Sequence, residues 1–158
     1  LGVPARILEV TRGSGSAVEV RPRLDPVERY LDDARAVAAT EGLPERLAGS
    51  VVPAFCRMAL EAACAEAVRR RRLQRGRPHA EVEQALLAAG KLNALVALAL
   101  FDDPTRGGEV LTRLNTFGRW AGDVFQACNR GTHAGYEGEL GGLIRDAGRL
   151  ADQLRSRS

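Results

Sequence analysis

Apolar residues recur along most of this chain at intervals of three and four, the spacing that gathers them on one face of an α-helix. Val27, Tyr30, Leu31, Ala34, Val37 and Ala38 form the first such run. Asp25 precedes it as a cap and Pro26 occupies the first turn, where the missing proline N–H leaves no bond unmade; Gly42 closes it. After a short element over Leu43 to Ala48, the longest run extends from Pro53 to about Gln74. Its Phe55, Met58, Ala59, Ala62, Ala65 and Ala67 offer small apolar surfaces for close packing, which suits a central helix. Pro78 and the charged segment from Ala80 open another helix, and Gly90 ends it. Leu92 to Phe101 is apolar nearly all round, which predicts a short buried helix. Asp102 to Gly108 reads as a loop, followed by a helix from about Glu109 through Asn115 and a break near Gly118. A helix then runs through Trp120, Val124 and Phe125 to Cys128, and Gly131 to Gly138 reads as a loop. Leu140, Leu143, Ile144, Ala147, Leu150, Ala151 and Leu154 mark a final amphipathic helix.

Ahead of Asp25 the pattern changes. Two β-prone stretches, ARILEVTR and AVEVRP, flank a GSGS loop, which is a hairpin signal. A lone two-stranded hairpin is marginal in water, so it must pack on the helices or complete a sheet in a preceding part of the chain. The start at Leu1, with no initiator Met, reads as a piece of a longer polypeptide or a trimmed chain. The expected organisation is a hairpin over 1–24, either packed on the helices or forming the end of a preceding domain, and an all-α helical bundle over 25–158.

Composition supports a bundle. Aromatic residues are 4% of the 158, so the core has to be built from Ala and Leu on closely approaching helices. The net charge of +3 says little about partners, but its distribution says more. Lys91 is the single lysine, and six arginines (Arg69, Arg70, Arg71, Arg72, Arg75 and Arg77) fall within nine residues. The planar guanidinium fork suits phosphate, so this cluster is a candidate grip on a nucleic-acid backbone. The competing reading is a solvated helix end whose positive charge complements the dipole. Cys56, Cys64 and Cys128 lack metal-ligand spacing, and an odd number of cysteines on helical segments points to reduced, buried thiols and a cytoplasmic setting. No run reaches the roughly 18 uninterrupted apolar residues of a membrane span, and no signal peptide is present. Neither a metal nor a cofactor is expected, since the chain carries no phosphate-cradling glycine loop, no paired-His motif and no nucleophile elbow.

One polar cluster stands out: Cys128-Asn129-Arg130-Gly131-Thr132-His133, after a helix packed by Trp120 and Phe125. With the preceding hydrophobic helices and the final amphipathic helix, it resembles a HEPN domain over roughly Asp25 to Leu154. HEPN domains are α-helical RNA-processing and RNA-binding modules, here of the form found C-terminal to bacterial ATPases linked to defence or DNA repair. The family's active pattern is an Arg, a polar residue directly after it, and a His about five positions beyond the Arg. Asn129 takes the polar position and His133 the His position, but Cys128 stands at the Arg position. Arg130 offers a guanidinium closer to the His than the family spacing has it. The resemblance implies metal-independent cleavage of RNA by 2′-hydroxyl attack, or RNA binding alone where the motif has decayed. His133 would move protons, Arg130 would stabilise the charge growing on phosphorus, and Asn129 would orient. It also implies a homodimer and an ATPase domain in the same polypeptide.

Plainer readings stand beside each of these. Asn129 and His133 at a helix end can be C-terminal caps, because Asn tolerates the left-handed conformation and His can bond the last carbonyls. His79, after Pro78, reads as a helix-start residue. The whole chain can be a non-catalytic helical dimerisation module, associating through its Ala-rich faces.

Overall fold

The computed structural model describes the backbone of residues 8–12, 18–22 and 25–157, and the side chains of residues 25–130 and 135–157. From Asp25 onward it is all-helical. Ahead of that, strand β1 (Leu8–Arg12) pairs antiparallel with β2 (Val18–Pro22), Val10 facing Val20. The expected GSGS loop lies outside the described residues.

Helix α1 (Pro26–Ala38) starts as its sequence dictates: the Asp25 carboxylate accepts the N–H of Val27 at 3.0 Å and Pro26 fills the first turn. Asp25 also faces the far end of the chain, where Arg155 Nη2 lies 2.5 Å from its Oδ2 and Arg155 Nε lies 3.2 Å from Glu66 Oε2. These are ion-pair distances at which the N–H groups are not aimed along a hydrogen bond. They tie the last helix to the start of the first.

Helix α2 (Glu45–Gln74) departs from expectation. The short 43–48 element and the run from Pro53 are one continuous helix, although proline in a helix interior withholds an N–H from the carbonyl four residues back. Here that carbonyl belongs to Gly49, and the backbone N–H of Tyr136 reaches it instead, at 2.8 Å. The bond left open by Pro53 is made by another part of the fold, so the helix passes through.

Helices α3 (His79–Ala89) and α4 (Leu92–Phe101) fall where the pattern places them, separated by Gly90 at φ 64°. The expected loop after α4 is partly ordered as a 3-10 turn, Pro104–Glu109, started by Asp103 accepting the Thr105 N–H. Helix α5 (Val110–Asn115) follows, and Gly118 at φ 134° breaks the chain before α6 (Arg119–Ala134). The expected loop from Gly131 is corrected: α6 continues to Ala134, and Gly135, at φ 70°, ends it. Helix α7 (Leu140–Ser156) completes the bundle, with Glu139 capping the Gly142 N–H at 2.7 Å.

The central α2 packs against α1, α3, α4, α6 and α7. Its Val52, Cys56, Ala59, Leu60, Ala63, Cys64, Ala67 and Val68 are fully buried, and the small members let the neighbouring helices come close. Leu92, Val96 and Leu98 of α4 and Leu150 and Leu154 of α7 fill the rest of an aliphatic core in which no polar side chain is buried among the described residues. By length and composition α2 is apolar enough to cross a membrane, but half of its most apolar window is buried inside the bundle, as befits a core helix.

Candidate functional site

The polar motif lies on a helix, not at its exit. With α6 reaching Ala134, Asn129 and His133 are four residues apart and Arg130 and His133 three apart on one helix, the spacings of side-chain neighbours on a helical face. The side chains of Asn129 and Arg130 are exposed. That of His133 lies outside the described side chains, as does that of Thr132. Asn129 does not cap the helix, because the left-handed residue that ends it is Gly135, where a missing Cβ makes positive φ inexpensive.

Gly135 and Tyr136 open onto a cleft of about 670 Å³, whose other walls include Thr40 and Leu43 between α1 and α2 and Arg46 at the start of α2, with Glu137 and Leu140 on the near side. The floor is set by the contact between Gly49 and Tyr136. A Cβ on Gly49 would sit 2.7 Å from the Tyr136 carbonyl oxygen, so glycine is what lets the segment after α6 lie directly on α2. The Tyr136 phenol is pushed above its ordinary pKa by burial first, then by the negative charges of Asp146 and Glu139. It therefore stays a neutral donor at the edge of the cleft.

Cys128, which stands where the resemblance calls for an Arg, faces the core. It is 1% exposed, and its thiol meets that of Cys56 on α2. The hydrogen bond with Cys56, then burial, push it well above an ordinary thiol pKa. Burial, reinforced by Glu61, does the same to Cys64. A guanidinium at position 128 would be driven into this apolar packing, so within the motif Arg130 is the residue that supplies one.

The arginine cluster is not gathered into one groove. Consecutive residues on a helix point about 100° apart, and these arginines divide among several partners within the chain, three of them sharing Asp102. Arg69 makes a two-pronged contact with Glu83 of α3, at 2.6 and 3.0 Å. Arg70 donates to the backbone carbonyl of Arg155 near the end of α7. Arg71, whose side chain is only 11% exposed, caps the C-terminus of α4: its Nη1 reaches Ala99 O and its Nη2 reaches Leu98 O, both at 2.7 Å. Arg72 donates to Asp102 Oδ1 at 2.9 Å, Arg75 lies 3.4 Å from Asp102 Oδ2, and Arg77 pairs with Glu81. The reading as a solvated helix end thus holds for Arg69, Arg75 and Arg77 and fails for Arg71, a strut whose side chain is largely covered.

Sequence reading missed Asp102. It is the one non-glycine residue with positive φ (58°) among the described residues, ends α4, and gathers Arg71, Arg72 and Arg75. Burial works to raise its pKa, but the hydrogen bond from Arg72 and the charges of Arg71 and Arg72 outweigh it and hold the carboxyl below its ordinary value. The available signal was an Asp directly after an apolar run, since Asp tolerates the left-handed conformation at a helix end.

Among the described residues no three His, Cys, Asp or Glu side chains converge as metal ligands. Comparison with known proteins finds no matching family model, no matching curated protein and no matching solved structure.

Proposed function

We propose that this chain is a HEPN-like helical module that associates with RNA, working in the cytoplasm as part of a larger ATPase-type protein. The observation that carries this reading is that Asn129, Arg130 and His133 fall at neighbouring positions on the last turns of α6, the helix whose C-cap, Gly135, lines the cleft. Where cleavage occurs, His133 exchanges a proton with the attacking 2′-hydroxyl or the leaving 5′-oxygen, Arg130 stabilises the negative charge developing on the phosphoryl oxygens, and Asn129 orients the phosphate. Burial of Cys128 leaves Arg130 to supply that charge at a shorter spacing than the family's, which favours binding over fast chemistry.

The test is single-stranded RNA binding across a salt series, together with a cleavage assay. Affinity should fall steeply with salt. Replacing Arg130 by Ala should weaken binding, and His133→Ala should leave binding nearly unchanged while lowering any cleavage by about a hundredfold or more. Among the clustered arginines, Arg75→Ala and Arg77→Ala are the informative substitutions, because Arg71 is committed to α4. Absence of RNA binding at low salt would reject the reading.

A second reading, a non-catalytic helical interaction module that self-associates, is favoured by a separate observation. All six clustered arginines already bond groups of this chain, while an apolar groove on α2 is open.

A further inference from the structure

Helix α2 is apolar on two faces. The inner one is the core. The outer one carries Leu47, Val51, Ala54, Met58, Ala62 and Ala65 at successive spacings of four, three, four, four and three, the period of one helical face. Leu47 and Met58 are exposed and the others partly so. Met58, Ala62 and Ala65 floor a groove of about 400 Å³ between Tyr30 of α1 and Leu86 and Leu87 of α3. Beside it Leu87 stands 79% exposed, well above Leu47, Met58 and Leu73 among the exposed large apolar side chains.

The charges around this groove cancel within the chain. Arg57 pairs with Glu61 at 2.9 Å and Arg69 with Glu83 at 2.6 Å. Such a rim gives phosphate or an acidic peptide little to bind, and an identical rim can face it without net repulsion. Members of the two pairs can also exchange partners across a two-fold axis.

We propose that the groove receives a second copy of this chain, in a two-fold contact where Leu87 of each copy enters the groove over Met58, Ala62 and Ala65 of the other. One surface carries both the projecting side chain and the hollow, which is what a closed isologous contact requires. The alanines let the two helices approach closely. The α2 strip is about 27 Å long, from Leu47 to Ala65 at about 1.5 Å per residue, and Tyr30 of α1 with Leu86 and Leu87 of α3 widens it at the groove. The inference rests on the self-association reading and is independent of the RNA reading.

The experiment is sedimentation equilibrium of the whole chain, alone and as Leu87→Glu and Met58→Glu, with far-UV circular dichroism to check the fold; both side chains are already exposed, so the fold should survive. The parent should be a dimer, and each variant should dissociate with a Kd raised by about tenfold or more, as expected for a central apolar anchor. A dimer unchanged in both variants would overturn this interface while leaving self-association standing. A monomeric parent at high micromolar concentration would overturn both. A monomer that co-sediments with phosphatidylcholine vesicles would assign the face to lipid and overturn the proposal.

Discussion

The carbonyl of Gly49 accepts the backbone N–H of Tyr136 at 2.8 Å, a bond that exists because Pro53 cannot make it from within α2. Two residues four apart thus prepare a landing place for a segment much later in the chain. One leaves a carbonyl open and the other has no Cβ to keep the segment away. The contact holds the segment that follows Gly135, the C-cap of α6, against α2.

Gly49→Ala should destabilise the fold by about 1–3 kcal/mol, since the new methyl would meet backbone that cannot swing aside as a side chain can. Urea denaturation measures this. Native-state amide exchange should show the Tyr136 N–H losing protection beyond that global loss. An unchanged midpoint and an unchanged Tyr136 amide would mean the contact is not formed in solution.

Arg71→Ala removes both donors to the α4 carbonyls of Leu98 and Ala99 and one partner of Asp102. Hydrogen bonds made by a charged, mostly buried group contribute about 1.5–3 kcal/mol, so a loss of about 2–3 kcal/mol is expected. Arg75→Ala, at an exposed position on the same carboxylate, should cost less than about 1 kcal/mol. Equal losses in the two variants would show that Arg71 is no strut.

Asp102 gives the protein an acid-sensitive joint. Its pKa is lower folded than unfolded, so its stabilising effect is fully present above the unfolded carboxylate value of about 3.9 and is lost as pH falls through the lower folded value. Asp102→Asn keeps the shape and tolerates positive φ but has no charge to lose. Melting temperatures taken from pH 6 downward should therefore fall less steeply in the variant than in the parent. Glu83, lowered by Arg69, keeps some slope in both. Identical slopes would remove Asp102 from the acid response.

Cys128→Arg restores the residue type of the RNA-processing pattern but should abolish stable folding, because it drives an unpaired charge into packing at a position 1% exposed, a cost of several kcal/mol. Cys128→Ala should fold. Soluble expression and urea melts of the pair decide this, and a stable Arg variant that gains RNA cleavage would show that the motif is read from position 128 after all. Thiol alkylation gives a companion reading: Cys64 and Cys128, buried and with raised pKa values, should react with iodoacetamide only after denaturant is added.

The sequence by itself determined the elements whose signals are local. Asp25 and Pro26 start α1 with groups two residues apart, Gly90 separates α3 from α4, and the unbroken apolar surface of Leu92–Phe101 can be accommodated only inside a bundle. It determined the aliphatic, Ala-rich core as well. Only the tertiary structure decided the features whose partners are distant. Pro53 reads as a helix start because its missing hydrogen bond is visible in the sequence, whereas the replacement donor, Tyr136, is not. Gly131 and Gly135 are equally good local stops for α6, and docking of Tyr136 on Gly49 places the stop at the second. The run Arg69–Arg72 looks like one charged surface when written in a line. The helical turn sends its members toward Glu83, Arg155, the end of α4 and Asp102, and an arginine's reach lets each satisfy a group the sequence places many residues away.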